Sequence, residues 1–161
     1  MKLATLCYIQ REEEILFLHR NKDSKDFQYN KYVALGGKIK EGESPEQCVK
    51  REVEEESGLI LQNPTLKGIL TFNNSGRTFN MGGSQPNWYV FPYLAKEFSG
   101  ELHDSSEGDL IWVARSKIDS LNMWEGDRLF FPWIVEKSGY FSANFVYEHE
   151  KLISHEEVFY H

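Results

Sequence analysis

Short apolar runs separated by turn-forming residues recur along the chain and predict a protein rich in β-strands. The predicted strands cover residues 3–10, 15–20, 32–35, 66–72, 88–98, 110–113, 140–147 and 151–160. The first two are joined by an acidic turn and the last two by a turn at residues 148–150, so each pair is expected to form a hairpin. Pro92 interrupts the fifth run and predicts an edge strand or a bulge there, because proline cannot donate a backbone hydrogen bond.

One segment, residues 45–57, has the pattern of a helix with both ends marked. Ser44 precedes it as an N-cap, Pro45 occupies its first position, and Gln47 completes a capping box with Ser44. Gly58 follows as the residue that commonly ends a helix in the left-handed conformation. This segment is therefore the best-defined helix of the sequence.

Two further helices and one long loop complete the predicted elements. A short helix is expected over residues 116–121, and a longer one over residues 127–137 that is kinked or interrupted at Pro132. The glycine-rich and serine-rich residues 75–85 predict a loop. Strands mixed with a few helices indicate an α/β or α+β fold, in which helices pack on a central sheet. No linker divides the chain, so we expect one domain over residues 1–161.

Composition and charge narrow the class of protein. The chain has 161 residues, 40% apolar and 14% aromatic, which excludes an intrinsically disordered segment. No run approaches the roughly 18 apolar residues of a membrane helix, and the first residues do not resemble a secretory signal. A net charge of −7 argues against a protein that coats nucleic acid polymers. Cys7 and Cys48 lack CxxC partners, which indicates a reduced cytoplasmic setting and excludes a cysteine zinc site.

Seven glutamates crowd into residues 41–56. Three of them, Glu52, Glu55 and Glu56, share one face of the predicted helix because they are three and four residues apart. Each such pair of like charges destabilises a helix by about 0.2–0.5 kcal/mol, and the C-terminal end of a helix also disfavours anions. Two interpretations follow: a solvated acidic face, or a site where a hard cation such as Mg²⁺ or Mn²⁺ offsets the repulsion.

The spacing around these glutamates favours the cation site. From Gly37 onwards the sequence is GKIKEGESPEQCVKREVEEESGL. It matches the pattern G-x5-E-x7-R-E-U-x-E-E-x-G-U, in which U is aliphatic, at every position. Such a match arises by chance about once in a million chains. With this motif the chain resembles the Nudix hydrolase superfamily.

The resemblance implies a fold and a reaction. The expected fold is an α/β/α sandwich, with a mixed central sheet, the motif helix on one side and a helix from the C-terminal half on the other. Nudix hydrolases cleave a nucleoside diphosphate linked to another group, using divalent ions that neutralise phosphate oxygens and activate a water. The family's metal ligands correspond here to Glu52, Glu55, Glu56 and the carbonyl of Gly36. Mg²⁺ is the implied cofactor, with Mn²⁺ as an alternative.

The motif also implies roles for neighbouring residues. Arg51 corresponds to a residue that orients the glutamates, although a surface arginine is the alternative, and Glu43 is expected to hold the loop. Glu55 is a candidate base, but clustered carboxylates share protons and roles. Gly37 and the adjacent Lys38 are expected to face the nucleotide's phosphates.

Segments outside the motif resemble one branch of the superfamily, the MutT/MutX type that hydrolyses oxidised purine triphosphates such as 8-oxo-dGTP. The matching segments are LATLCYI, YVALGGKIKEGE, EGDLIWV, MWEGDRLFFPWI and GYFSANFVYEHEKLI. This resemblance implies a cytoplasmic enzyme that sanitises the nucleotide pool, a form of DNA repair. Its partner would be a nucleotide substrate rather than a nucleic acid polymer or a membrane. The sequence predicts no particular oligomeric state.

Further site residues follow from the same branch. Glu107 corresponds to an additional metal ligand or base, while Thr5 and Arg20 correspond to residues that line the nucleotide pocket. Trp124 and Asp127 correspond to an aromatic wall and a polar group for the purine. Three of them also have an alternative interpretation without a functional role: core packing for Trp124, a solvated loop for Glu107 and a solvated strand end for Arg20.

Two positions depart from the branch. Val33 replaces an asparagine that contacts the base edge in some members, and Gly126 replaces an acidic base contact. Buried hydrogen bonds discriminate strongly between bases, so both departures bear on the substrate.

Three functions are therefore compared. The first is a Mg²⁺-dependent nucleoside triphosphate pyrophosphohydrolase that converts 8-oxo-dGTP to 8-oxo-dGMP and pyrophosphate. The second is a Nudix hydrolase of ADP-ribose or of a broad set of triphosphates, and the third is a non-catalytic nucleotide-binding module. The intact set Glu52, Glu55 and Glu56 favours an enzyme over the third.

Overall fold

A computed structural model describes residues 2–74 and 87–161 and arranges them as a mixed sheet with a helix on each face. The strands are β1 (Lys2–Arg11), β2 (Glu14–His19), β3 (Tyr32–Val33), β4 (Leu35–Lys38), β5 (Ile60–Gln62), β6 (Thr65–Leu66), β7 (Gly68–Asn73), β8 (Trp88–Ala95), β9 (Glu97–Ser99), β10 (Asp109–Ala114), β11 (Tyr140–Glu148) and β12 (Lys151–Tyr160). The helices are α1 (Pro45–Ser57) and α2 (Glu125–Val135), with a 3₁₀-helix at Arg115–Ser120. The loop predicted over residues 75–85 lies outside the described residues.

The main sheet has the strand order β10-β2-β1-β8-β7-β11-β12. Strand β1 pairs in parallel with β8 and antiparallel with β2 and β4, and β7 pairs in parallel with β11. Strands β3 and β6 add to the sheet beside β2 and β8, and β5 pairs with β9 in a separate ribbon. The predicted mixed central sheet is confirmed, as are both predicted hairpins.

The sheet buries a core on each face because successive residues of β1 point to opposite sides. Cys7 and Ile9 pack with Val49 and Val53 of α1. Tyr8, between them, packs on the other face with the aromatic residues of α2 and β11. None of the helices in residues 2–74 and 87–161 has the length and apolarity needed to cross a membrane.

Helix α1 has the predicted bounds and the predicted ends. The Ser44 hydroxyl accepts a hydrogen bond from the Gln47 N–H, and the Gln47 side chain accepts one from the Ser44 N–H, which completes the capping box. Gly58 has φ of 83° and donates its N–H to the carbonyl of Glu54. Helix α2 starts two residues earlier than predicted, and Pro132 lies inside it.

The interpretation of Pro92 as an edge-strand residue is wrong. Strand β8 lies inside the sheet, and Pro92 is paired with Leu6 of β1. On its other side the facing chain is interrupted at Lys67, between β6 and β7, and the register shifts by one residue across the gap. The irregularity that proline requires is therefore a bulge in the partner strand, where Lys67 donates its N–H to the Pro92 carbonyl.

We expect Gly58→Ala to destabilise the protein more than Gly42→Ala. The two glycines have φ of 83° and 81°, so alanine at either position carries a similar backbone cost of about 1–2 kcal/mol. Only at Gly58 would the new Cβ meet backbone, at 2.4 Å from the Glu101 carbonyl oxygen, whereas Gly42 has no atom within 4 Å of its Cβ. Thermal unfolding monitored by circular dichroism measures the difference. Equal losses of Tm would contradict the close approach at Gly58.

Candidate functional site

A cleft of about 570 Å³ lies where β1, β4 and α1 meet the loop after β2 and the start of α2. Two groups of side chains line it. The first group is acidic and comprises Glu52, Glu56 and Glu107. The second, which includes Trp124, Asp127 and Tyr147, is mainly aromatic, and we call these three residues with Gln28 the base pocket. The cleft thus combines an acidic region with a flat, partly apolar one.

Two adjacent glycines bring the backbone of β4 against the acidic helix. Gly36 has φ of 144°, and a Cβ there would lie 2.1 Å from the carbonyl oxygen of Thr5. Its N–H donates to Glu56 Oε1 at 2.9 Å. A Cβ on Gly37 would lie 2.4 Å from the carboxylate carbon of Glu52. Gly36 therefore requires glycine because the β1 backbone occupies the space of its Cβ, whereas at Gly37 that space is taken by the carboxylate of Glu52.

Arg51 connects the glutamates to the loop that precedes α1. Its guanidinium donates to both carboxylate oxygens of Glu43 at 2.7 and 2.9 Å, and to Glu52 Oε1 at 2.8 Å. It also reaches Glu55 Oε2 at 3.2 Å and the Lys38 carbonyl at 3.1 Å. The Arg51 guanidinium and the Lys40 N–H lower the pKa of Glu43 to about 2. Arg51 and Glu43 thus form a bidentate pair.

Glu56 is the electrostatically least favourable member of the cluster. Burial raises its pKa from the ordinary value of 4.5 to about 8, against the hydrogen bond from the Gly36 N–H. This net shift includes the nearby carboxylates of Glu107 and Glu52, which also raise the pKa, and Arg20, which lowers it. A positive charge bound beside Glu56 would offset the cost of ionising a buried carboxyl and the repulsion from the other carboxylates.

Within residues 2–74 and 87–161, no three His, Cys, Asp or Glu side chains are arranged as ligands of one ion. The carboxylates of Glu52 and Glu55 are instead held by Arg51, and that of Glu56 by Gly36. The composition of the site nevertheless fits a hard divalent cation, because carboxylate and backbone oxygens are the preferred ligands of Mg²⁺. The close approach of Gly37 to the Glu52 carboxylate and the buried carboxyl of Glu56 are consistent with such an ion.

The two predicted residues Arg20 and Glu107 contact each other. Arg20 donates to Glu107 Oε2 at 3.1 Å and, through its Nε, to Asp26. Arg20 is mostly buried and lines the cleft, so it is not the solvated strand end that was its alternative. Asp26, which lies in the loop between β2 and β3, is not among the site residues predicted from the sequence. No local signal links it to Arg20.

Trp124 is both a core residue and a wall of the cleft. Only 8% of its surface is exposed, and its indole N–H donates to Gln28 Oε1 at 3.1 Å. Tyr147 packs edge-on against it, with ring centroids 6.0 Å apart, and the Lys31 ammonium lies 4.8 Å from its ring. The two interpretations made for Trp124 are therefore compatible. Gln28 and Tyr147 are contacts that the sequence did not predict.

Three other predicted residues also reach the cleft. Asp127 lines it, and burial raises the pKa of its carboxyl to about 7, with Lys31 opposing the shift. Thr5 lies beside the glycines, but its hydroxyl is 3.3 Å from the Cys48 thiol, on the side of α1. The Lys38 ammonium lies 5.9 Å from the ring of Trp88.

Comparison with known proteins places the chain among related sequences. Residues 1–134 match the family model described as the NUDIX domain. An uncharacterized Nudix hydrolase of Bacillus subtilis, YvcI, is 29% identical over 157 residues, covering 96% of this chain and 93% of the relative. The oxidized purine nucleoside triphosphate hydrolase of Danio rerio is 30% identical over 157 residues, covering 96% and 92%. The 8-oxo-dGTP diphosphatase of Haemophilus influenzae is 29% identical over 112 residues, covering 70% and 75%.

Solved structures show the same fold. A mutator MutT protein from Bacillus halodurans superposes with a TM-score of 0.82 at 30% identity, covering 98% of this chain and 97% of the other. A MutT NUDIX hydrolase from Burkholderia pseudomallei gives a TM-score of 0.68 at 24% identity, covering 83% and 98%. The α/β/α arrangement expected from the sequence is confirmed by these similarities.

We expect metal-free Glu56→Gln protein to become more stable than the wild type as pH rises from about 5 to 8. The folded-state pKa of about 8 exceeds the ordinary 4.5, so folding favours protonated Glu56. The stability that this proton provides is complete below pH 4.5 and is lost as pH rises through 8. Glutamine stays neutral throughout. Tm measured across this range in chelator-treated protein tests the difference.

Glu54→Gln serves as the matched control, because Glu54 is an exposed glutamate of the same helix. Its Tm should follow that of the wild type across the range. Parallel curves for Glu56→Gln and the wild type would contradict the unfavourable environment of Glu56.

Proposed function

This chain belongs to the Nudix family, as a MutT-type hydrolase of phosphoanhydride bonds, and from that premise we propose that its substrate is 8-oxo-dGTP. The products would be 8-oxo-dGMP and pyrophosphate. The observation that carries the proposal is the acidic face of α1, which lies against Gly36 and Gly37 in the cleft that also contains the base pocket. Phosphates and a purine could thus be bound together.

The residues of α1 supply the proposed catalytic group. Glu52, Glu55, Glu56 and the carbonyl of Gly36 would hold Mg²⁺ or Mn²⁺, with Glu107 as a further ligand. When bound, such an ion neutralises phosphate oxygens and lowers the pKa of a coordinated water. Nudix hydrolases generally use divalent metals of this kind. Before metal binding, the guanidinium of Arg51 holds the carboxylates of Glu52 and Glu55 near the cleft.

Cationic and backbone groups would position the phosphates. Gly37 has no side chain and exposes its backbone to the cleft. The adjacent Lys38 also lines the cleft and carries an ammonium group. Arg20 also lines the cleft, where its guanidinium is shared by Asp26 and Glu107. These cations offset the repulsion that a protein of net charge −7 exerts on a triphosphate.

The base pocket supports a purine substrate. Trp124 offers an aromatic wall whose orientation is fixed by Gln28 and Tyr147. Asp127 offers a carboxyl group able to accept or donate a hydrogen bond near neutral pH, since its pKa is about 7. Two relatives that match the chain over most of its length are named for oxidised purine triphosphates. These features favour 8-oxo-dGTP over ADP-ribose.

A substrate panel tests this function. With Mg²⁺, kcat/KM should be higher for 8-oxo-dGTP than for dGTP, and the products should be the monophosphate and pyrophosphate. Chelation of the metal should abolish turnover. Equal kcat/KM values for 8-oxo-dGTP and dGTP would contradict the oxidised-base preference and indicate a general triphosphate hydrolase. Release of two phosphomonoesters from ADP-ribose as the preferred substrate would establish the alternative activity.

We expect Arg51→Lys to lower kcat/KM by about 10–100-fold, the range typical of residues that orient metal ligands. Lysine keeps the charge but cannot contact Glu43 through two parallel hydrogen bonds while also reaching Glu52. Steady-state kinetics at several Mg²⁺ concentrations measure the loss. Arg11→Lys is the control, because Arg11 forms an exposed ion pair with Glu14 in the first hairpin. Wild-type turnover in both variants would remove the positioning role.

A further inference from the structure

The hydroxyl of Tyr147 occupies the space of a missing side chain in the base pocket. Gly126, at the start of α2, is the position where the MutT-type resemblance implies an acidic residue. A Cβ on Gly126 would lie 2.6 Å from the Tyr147 hydroxyl oxygen. The same oxygen accepts a hydrogen bond from the Gly126 N–H at 2.8 Å. A larger residue at position 126 and the present position of Tyr147 therefore exclude each other.

Tyr147 is fixed in this place by its surroundings. It lies on β11, with 5% of its surface exposed, and lines the cleft between Trp124 and Phe72. Burial and the nearby Asp127 raise the pKa of the hydroxyl, so it keeps its proton. The bond from Gly126 occupies one lone pair and leaves the proton available. Among residues 2–74 and 87–161 this hydroxyl accepts from Gly126 and donates to no partner, and Tyr147 lines the cleft.

We propose that Tyr147 determines base specificity by donating its hydroxyl proton to the keto oxygen at position 6 of a guanine-type base. This inference rests on the proposed triphosphate hydrolase function and names the base edge that the site selects. It also accounts for the departure at Gly126, where the Tyr147 hydroxyl of β11 occupies the space that a larger side chain would need.

The chemistry of the base edge supports this assignment. Guanine and 8-oxoguanine carry two donors, N1–H and the 2-amino group, next to the O6 acceptor. A carboxylate such as Asp127 can accept from both donors, and a neutral hydroxyl then suits O6. Adenine offers only one donor group on this edge and no keto oxygen. A fixed donor beside a carboxylate is therefore better matched to guanine-type bases.

The test removes the hydroxyl from the enzyme and the keto oxygen, with the N1–H that accompanies it, from the substrate, separately and together. Tyr147→Phe should lower kcat/KM for 8-oxo-dGTP and dGTP by about ten-fold or more, mainly through KM. For 2-aminopurine deoxynucleoside triphosphate, which has the 2-amino group but neither O6 nor N1–H, the same variant should change kcat/KM less than about two-fold. Gly126→Ala should give the same substrate-dependent loss, because its Cβ displaces the hydroxyl.

Tyr140→Phe is the control, since Tyr140 lies on the same strand with 56% of its surface exposed, and it should match the wild type with every substrate. Thermal unfolding verifies that each variant is folded. If Tyr147→Phe lost equal activity with the guanine-type and the 2-aminopurine substrates, or lost none with either type, the role of Tyr147 would be overturned while the wild-type activity stands. A wild type inactive on all three triphosphates would instead overturn the proposed function, and this inference with it.

Discussion

The guanidinium of Arg51 joins three parts of the chain on which the site depends: the end of β4, the loop before α1 and the acidic face of α1 itself. It spans the carbonyl of Lys38, both oxygens of Glu43 and the carboxylates of Glu52 and Glu55. The last turn of α1 contains no basic residue to balance its glutamates. Because four-fifths of the Arg51 side chain is buried, this network is less screened than a surface ion pair. An intrinsically repulsive set of acids is thereby kept at the cleft.

The close approach of helix and sheet depends equally on backbone geometry. Strand β4 pairs antiparallel with β1, which places Gly36 opposite Leu6 and Gly37 opposite Thr5. The missing side chain of Gly36 allows β4 to lie close to β1, and that of Gly37 leaves room for the Glu52 carboxylate of α1. The burial that raises the pKa of Glu56 is a direct consequence of that approach. Packing energy from the core beneath α1 thus sustains an electrostatic arrangement that would be unfavourable on a surface helix.

Features set by residues close together in the sequence were predicted correctly, whereas contacts between residues far apart in the sequence were not. The ends of α1 depend on residues within one turn, namely Ser44, Gln47 and Gly58, and its bounds were predicted correctly. Pro92 was misplaced at a sheet edge because the interruption that accommodates it lies in another strand, at Lys67. In the site, the motif located the glutamates and Arg51. It could not reveal contacts such as Gln28 with Trp124, which are 96 residues apart and have no common pattern.

The two halves of the cleft are built mainly from different parts of the chain, so the roles proposed in hydrolysis and in base selection fall on different residues. The acidic half comes from β4 and α1, with Glu107 added from the loop before β10. The base pocket comes from the loop after β2, the start of α2 and β11, which contact each other through side chains. Under the role proposed for Tyr147, a polar group absent at Gly126 is supplied from β11 without disturbing the carboxylates. Substrate preference would then depend on which element places a donor at the base edge, because the motif alone does not determine it.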